Sequence, residues 1–147
     1  MNRQFNLFSG FMAVLFIMSF CGCSLPENAC VPYAITGAMS VEDSEIWSNA
    51  GLEFEFSNRA EKTVKNFTLV FYLYDENGEP PIGARNNIVF KLEEEVDPFS
   101  SVEMAVSLDQ FFTYVPEDSY NLDFLYVSSI TYSDGTVWTD PFGLKSF

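Results

Sequence analysis

Thr63-Val64-Lys65-Asn66-Phe67-Thr68-Leu69-Val70-Phe71-Tyr72-Leu73-Tyr74 is the stretch on which the fold turns. Phe67, Leu69, Phe71 and Leu73 recur at every second position, the period of a β-strand. Val70, Tyr72 and Tyr74 make the opposite face largely apolar too. A strand that is apolar on both faces belongs in the interior of its sheet, because an antiparallel strand with one wet face alternates with polar residues. Asp75-Glu76-Asn77-Gly78-Glu79-Pro80-Pro81 then stops it with residues that tolerate left-handed backbone or fix φ.

The segments on either side carry the same period. Residues 51–58 alternate Leu52, Phe54 and Phe56 with Glu53, Glu55 and Ser57, the pattern of a half-buried antiparallel strand. Residues 33–41 read as a weaker first strand, followed by the acidic loop Glu42-Asp43-Ser44-Glu45. Residues 87–93 place Ile88, Phe90 and Leu92 on one side, and residues 100–108 carry Val102, Met104, Val106 and Leu108. The acidic turn Glu93-Glu94-Glu95-Val96-Asp97-Pro98 separates them. Ser107 and Gln110 have the spacing of a capping box, so one helical turn is expected over 109–114. Residues 122–132 form another long apolar strand. Ser133-Asp134-Gly135-Thr136 reads as a type I′ hairpin turn, and residues 136–139 return as a short strand with Trp138.

About seven short strands separated by turn signals specify an all-β chain. An immunoglobulin-like antiparallel β-sandwich is expected, with a closed barrel as the alternative. The expected core between its two sheets comprises Leu52, Phe54, Phe56, Phe67, Leu69, Phe71, Leu73, Phe124 and Trp138. A length of 147 residues suits one domain, and 48% apolar against 19% charged residues marks a chain that folds. The aromatic content of 17%, with 16 Phe, favours strands over a helical bundle.

The N-terminus has a different character. Arg3 precedes an almost wholly apolar run over residues 7–20, too short for the roughly 20 residues of a membrane-spanning helix but matched to a secretory signal. It leads into Phe20-Cys21-Gly22-Cys23-Ser24, which resembles a bacterial lipobox. Gly22 occupies the small position before cleavage and Cys23 the lipid-bearing one, while Phe20 and Cys21 depart from the commonest pair. The resemblance implies a lipoprotein signal peptide over 1–22 and a thioether-linked diacylglycerol on Cys23, with palmitate-type acyl chains. Two or three acyl chains anchor stably where one is marginal. An ordinary signal peptide cut nearby, leaving a soluble secreted protein, is the alternative. Residues 23–32 then read as a lipid-bearing tether and 33–147 as the sandwich domain. Once Cys21 leaves and Cys23 is alkylated, Cys30 stands alone and no disulfide framework is possible in the mature monomer.

A second resemblance sits at the end of the central strand. Phe71-Tyr72-Leu73-Tyr74-Asp75, entered from the polar turn at Asn58-Arg59 and left through Glu76-Asn77-Gly78, is similar to the signature of the FxLYD domain family. The likeness covers residues 58–78. It implies a small immunoglobulin-like sandwich of bacterial exported proteins and lipoproteins, with no assigned enzymatic activity. Residues 130–138 also resemble the strand-turn-strand ending of small uncharacterised bacterial lipoproteins.

Chemistry is narrowed by composition. Seven Lys+Arg against 21 Asp+Glu give a net charge of −14, which opposes phosphate-mediated binding of nucleic acid. There is no His, so a histidine triad or a His metal site is impossible. The loop from Asp75 fails as an EF-hand, since its sixth and twelfth positions are Pro80 and Asn87. Glu93-Glu94-Glu95 with Asp97 reads as a solvated acidic turn rather than a calcium site. No cofactor and no enzymatic activity are expected. The expected function is a lipid-anchored cell-envelope protein, membrane-bound through its anchor, with a structural or interaction role. Ser24 after the lipidated Cys would send it to the outer membrane of a didermic cell. The alternative is a surface adhesin or ligand-binding module that presents acidic loops or an aromatic face to a protein or carbohydrate partner. Tyr72, Tyr74, Tyr126, Tyr132 and Trp138 are the candidate interaction residues.

Overall fold

The computed structural model describes residues 31–42, 44–81 and 85–145. Gly22, Cys23, Cys30 and the expected signal peptide over 1–22 lie outside the described residues. The strands are β1 (Tyr33–Ser40), β2 (Gly51–Asn58), β3 (Val64–Tyr74), β4 (Asn87–Leu92), β5 (Ser101–Ser107), β6 (Asn121–Tyr132) and β7 (Val137–Thr139). They form two antiparallel sheets, β1-β2-β5 and β4-β3-β6-β7. No strand is shared between them, so the fold is a sandwich and not a closed barrel. This is the Greek-key order of an immunoglobulin-like sandwich whose fourth strand has joined the sheet of the third.

The period-two pattern decides which side chains face inward. Leu52, Phe54 and Phe56 of β2 are buried against Phe67, Leu69, Phe71 and Leu73 of β3, with Ile88, Val127 and Ile130 filling the same layer. Phe56 stacks on Phe67 across the gap, with ring centroids 4.2 Å apart and planes 10° from parallel. β3 is central in its sheet, as its two apolar faces require.

Polar groups lock the two sheets at one end. Asn58 is 2% exposed, and its amide nitrogen faces the carbonyl oxygens of Lys62, Val96 and Asp97 at 2.9, 3.1 and 3.0 Å. Its side-chain oxygen accepts from the Ala60 N–H at 3.0 Å. At the other end the Asp109 carboxylate accepts from the backbone N–H groups of Ser48, Asn49 and Ala50. Trp47 is folded over Gly51, where an added Cβ would lie 2.2 Å from the indole, so only glycine fits there.

Two expectations are corrected and one is narrowed. Phe124 is not a core residue: it is 48% exposed, with φ of 48°. The register between β3 and β6 shifts between Val70 and Tyr72, where Phe124 and Leu125 together oppose Phe71. This β-bulge turns Phe124 outward, and Val127 and Ile130 supply the core positions of β6. The single turn expected after Ser107 is present, but it is shorter, closing at Phe112 rather than Tyr114. Ser107 Oγ accepts from the Asp109 N–H, and Leu108 O receives Phe111 N–H and Phe112 N–H in a single turn. The last hairpin is not type I′. Positive φ occurs at Gly135 (82°) but not at Asp134, and Tyr132 O accepts from the Gly135 N–H while Tyr132 N–H donates to Thr136 O. This is the three-residue loop closed by a left-handed glycine.

Phe71 is 0% exposed, so truncation to Ala is expected to cost about 3–5 kcal/mol through lost burial and the cavity left behind. Tyr72→Ala, on the outer face, is expected to cost clearly less. Urea denaturation of the full chain checks the pair, and equal effects would contradict the register. A second expectation concerns acid. Three backbone N–H donors hold the Asp109 carboxyl below its ordinary value of 3.8. That contribution is present above the ordinary value and is lost as pH falls through the lower folded one. Asp109→Asn is therefore expected to flatten the acid-side loss of stability, read as the urea midpoint from about pH 5 to about pH 2.

Candidate functional site

The β3 positions that face away from the core meet their register partners on the outer surface of the larger sheet. Val70 pairs with Val89 and Tyr126, and Tyr72 pairs with Asn87 and Asp123. The bulge in β6 adds Phe124, whose ring meets Tyr72 edge-on at 5.8 Å and 76°. The Phe124 N–H donates to Asp123 Oδ1 at 2.9 Å, which holds the left-handed bend that aims the ring outward.

The C-terminal segment supplies the remaining wall. Asp140 is 3% exposed; its N–H donates to Ser128 O, and its carboxylate accepts from the N–H groups of Leu144 and Lys145. These bonds curl residues 140–145 over Tyr126. Gly143, with φ of 67°, packs so closely that a Cβ would stand 3.0 Å from the Tyr126 ring. The Tyr126 hydroxyl donates to Pro141 O at 3.3 Å, and burial pushes its phenol above the usual tyrosine value.

The result is an open groove of about 940 Å³. Tyr72, Tyr74, Phe124, Tyr126 and Phe142 form its aromatic part, and Asn87, Ser128, Ser129 and Thr139 provide amide and hydroxyl groups. None of the described residues lining it is charged. Of the five aromatic residues singled out in the sequence, Tyr72, Tyr74 and Tyr126 come together here. Tyr132 and Trp138 do not. Tyr132 is buried in the core cluster, with the Lys62 ammonium 5.7 Å from its ring centroid. Trp138 faces inward, edge-on to Tyr33 at 5.6 Å, with the Lys145 ammonium 5.4 Å from its ring.

Sequence reading missed Phe124 and Phe142 as site residues. Phe124-Leu125-Tyr126-Val127 is an unbroken apolar run and therefore carries no alternation from which a face can be read. Phe142 follows Pro141 beyond the last strand, where periodicity gives no signal.

The carboxylates with lowered pKa serve the backbone or a lysine. Asp75 accepts from the N–H groups of Asn77 and Glu79, and Asp134 from Thr136 and Lys62. Among the described residues no group of three or more His, Cys, Asp or Glu is placed to hold a metal ion.

No family model matches the chain, and no curated protein matches it. Among solved structures, it is similar to a hypothetical protein from Peptoclostridium difficile 630, with a TM-score of 0.48 and 12% identity. That likeness covers 76% of this chain and 87% of the other.

Gly143→Ala tests how the groove wall is held. The added methyl group meets both a positive φ and the Tyr126 ring, so the segment over Tyr126 is expected to lift. Once water reaches the phenol, its pKa is expected to fall toward the ordinary value of about 10. Spectrophotometric titration of tyrosinate checks this, with Tyr126→Phe identifying the signal.

Proposed function

We propose that the chain is a lipid-anchored cell-envelope protein whose immunoglobulin-like domain performs no chemistry and binds a neutral carbohydrate through the outer-face groove. The observation that carries the binding role is the lining of that groove. Aromatic rings offer flat apolar surface to the C–H faces of sugar rings, while neighbouring amide and hydroxyl groups match sugar hydroxyls. A charged peptide would leave its ions without partners in a groove whose described lining carries no charge. An anionic glycan would also approach against a net charge of −14.

The anchor rests on Arg3, the apolar run over 7–20, and Gly22-Cys23. In this reading Cys23 carries the lipid, and Ser24 directs the protein to the outer membrane if the cell is didermic. The FxLYD-like segment supports the same class, since that resemblance implies exported proteins and lipoproteins without assigned catalysis. The carboxylates named above favour a non-catalytic role, because their oxygens are engaged by turn N–H groups and Lys62 rather than turned toward the groove.

Two measurements test the proposal. Cells fed a fatty-acid probe are expected to label the parent chain and not Cys23→Ala; equal labelling would remove the lipid anchor. In binding to neutral polysaccharides, Tyr72→Ala and Phe124→Ala are each expected to weaken affinity about tenfold or more, equivalent to roughly 1.4 kcal/mol per ring. Undiminished binding by both folded variants would show that the groove is not the surface used.

A further inference from the structure

We propose that the outer edge of β1 is a strand-addition site for an extended basic segment of another protein. This is independent of the groove, which lies on the other sheet. The sheet order leaves β1 with one neighbour, β2. The Arg59 N–H donates to Pro32 O at 2.8 Å, which fixes the alternation that follows. Ala34, Thr36 and Ala38 turn their backbone groups toward β2, and Ile35, Gly37 and Met39 turn theirs outward. Among the described residues no strand pairs with that outer side, and Met39 O accepts from the Ser119 hydroxyl at 3.4 Å.

The other edges are defended against pairing. β4 carries Lys91, β5 carries Glu103, and β7 has only three residues. β1 runs eight residues without a charge, a proline or a register shift. An edge of that kind is a template for another strand.

The register names the chemistry of the partner. On the outer face Thr36 pairs with Glu55 and Glu55 with Glu103, while Ala38 pairs with Glu53. Glu55 and Glu103 are like charges placed directly opposite, an arrangement that destabilises a sheet unless a cation relieves it. Among the described residues none of the three has an ion-pair partner. Thr36 and Ala38 are short, so an open depression of about 760 Å³ reaches over them to the three carboxylates. A strand added outside β1 would lie roughly 10 Å from β2, two inter-strand spacings. From there a Lys or Arg can extend its stem over Thr36 or Ala38 and bring its charge to Glu55 or Glu53. Backbone bonds supply the attachment, and alternate basic side chains supply the selectivity. A second copy is a poor occupant, because it brings another chain of net charge −14 against the same row.

The test uses the full chain in a neutral detergent and a blocked eight-residue peptide alternating Lys with Val and Thr. A control peptide carries Gln for each Lys. Calorimetry is expected to show the Lys peptide binding about tenfold or more tightly than the Gln peptide. Hydrogen exchange is expected to slow at the Ile35 and Gly37 amides when the Lys peptide is present. The double variant Thr36→Lys and Ala38→Lys fills the depression and sets cations opposite Glu55 and Glu53, so it is expected to fold normally and lose the peptide. Glu55→Gln with Glu103→Gln is expected to abolish the preference for Lys over Gln. Equal binding of the two peptides, or protection confined to other amides, would overturn the proposal. So would protection of Ile35 and Gly37 before peptide is added, which would mean that another copy or another part of this chain already occupies the edge.

Discussion

Asn58 ends β2 with its carboxamide buried, and its hydrogen bonds reach the turn into β3 and the segment between β4 and β5 at once. Val64 and Val96 exchange two backbone hydrogen bonds beside it, so the knot includes the first residue of β3. A carboxamide is suited to this place because it is neutral and has both donors and an acceptor, so it can satisfy several buried backbone groups without burying a charge. With that corner fixed, β2 and β3 leave it in opposite sheets and run face to face, and Phe56 can stack on Phe67. Loss of the amide would take this partner from Lys62 O and the Ala60 N–H, while Val96 O keeps the Val64 N–H and Asp97 O keeps the Ser100 N–H, and each buried polar group left unpaired is costly.

Periodicity made β2 and the inward row of β3 legible, because a one-residue slip would send Phe67, Leu69, Phe71 and Leu73 into water together. The Asn58 knot was not legible. In sequence it is one polar residue in the turn Asn58-Arg59-Ala60-Glu61-Lys62, and its partners Val96 and Asp97 lie far along the chain. The facing of β6 was hidden for another reason. A bulge adds one residue, changes the parity of everything beyond it, and leaves the composition unchanged. The candidate site shares that obscurity: Tyr72 and Tyr74 were readable from parity, whereas Phe124 depends on a bulge and Phe142 on the fold of the C-terminal segment.

The irregularities of β6 link the core to the groove. A second register shift, between Thr68 and Leu69, interrupts the ladder near Ser128, and the Val127 N–H is taken by the Tyr33 hydroxyl at 2.9 Å. That bond reaches from β1 in one sheet to β6 in the other, so a defect in one ladder becomes a tie between sheets. Ser128 O then accepts from the Asp140 N–H, the bond from which the wall over Tyr126 is built. A regular β6 would continue its alternation through Phe124 and Ser128 and give neither the outward ring nor the tie.

Charge is distributed unevenly over this frame. The outer face of the smaller sheet bears Glu53, Glu55 and Glu103, while the described lining of the groove on the larger sheet is uncharged. Fields from exposed charges fade over about 8–10 Å at physiological salt, and the two outer faces are separated by two sheets packed roughly 10 Å apart. Each face therefore presents its own chemistry to what approaches it. A ligand of the groove is selected by ring stacking and hydroxyl matching, which salt barely alters. A strand on the β1 edge is selected by charge, which salt weakens. The two proposed sites are thus separable by ionic strength as well as by mutation, because their contacts respond to salt in different ways.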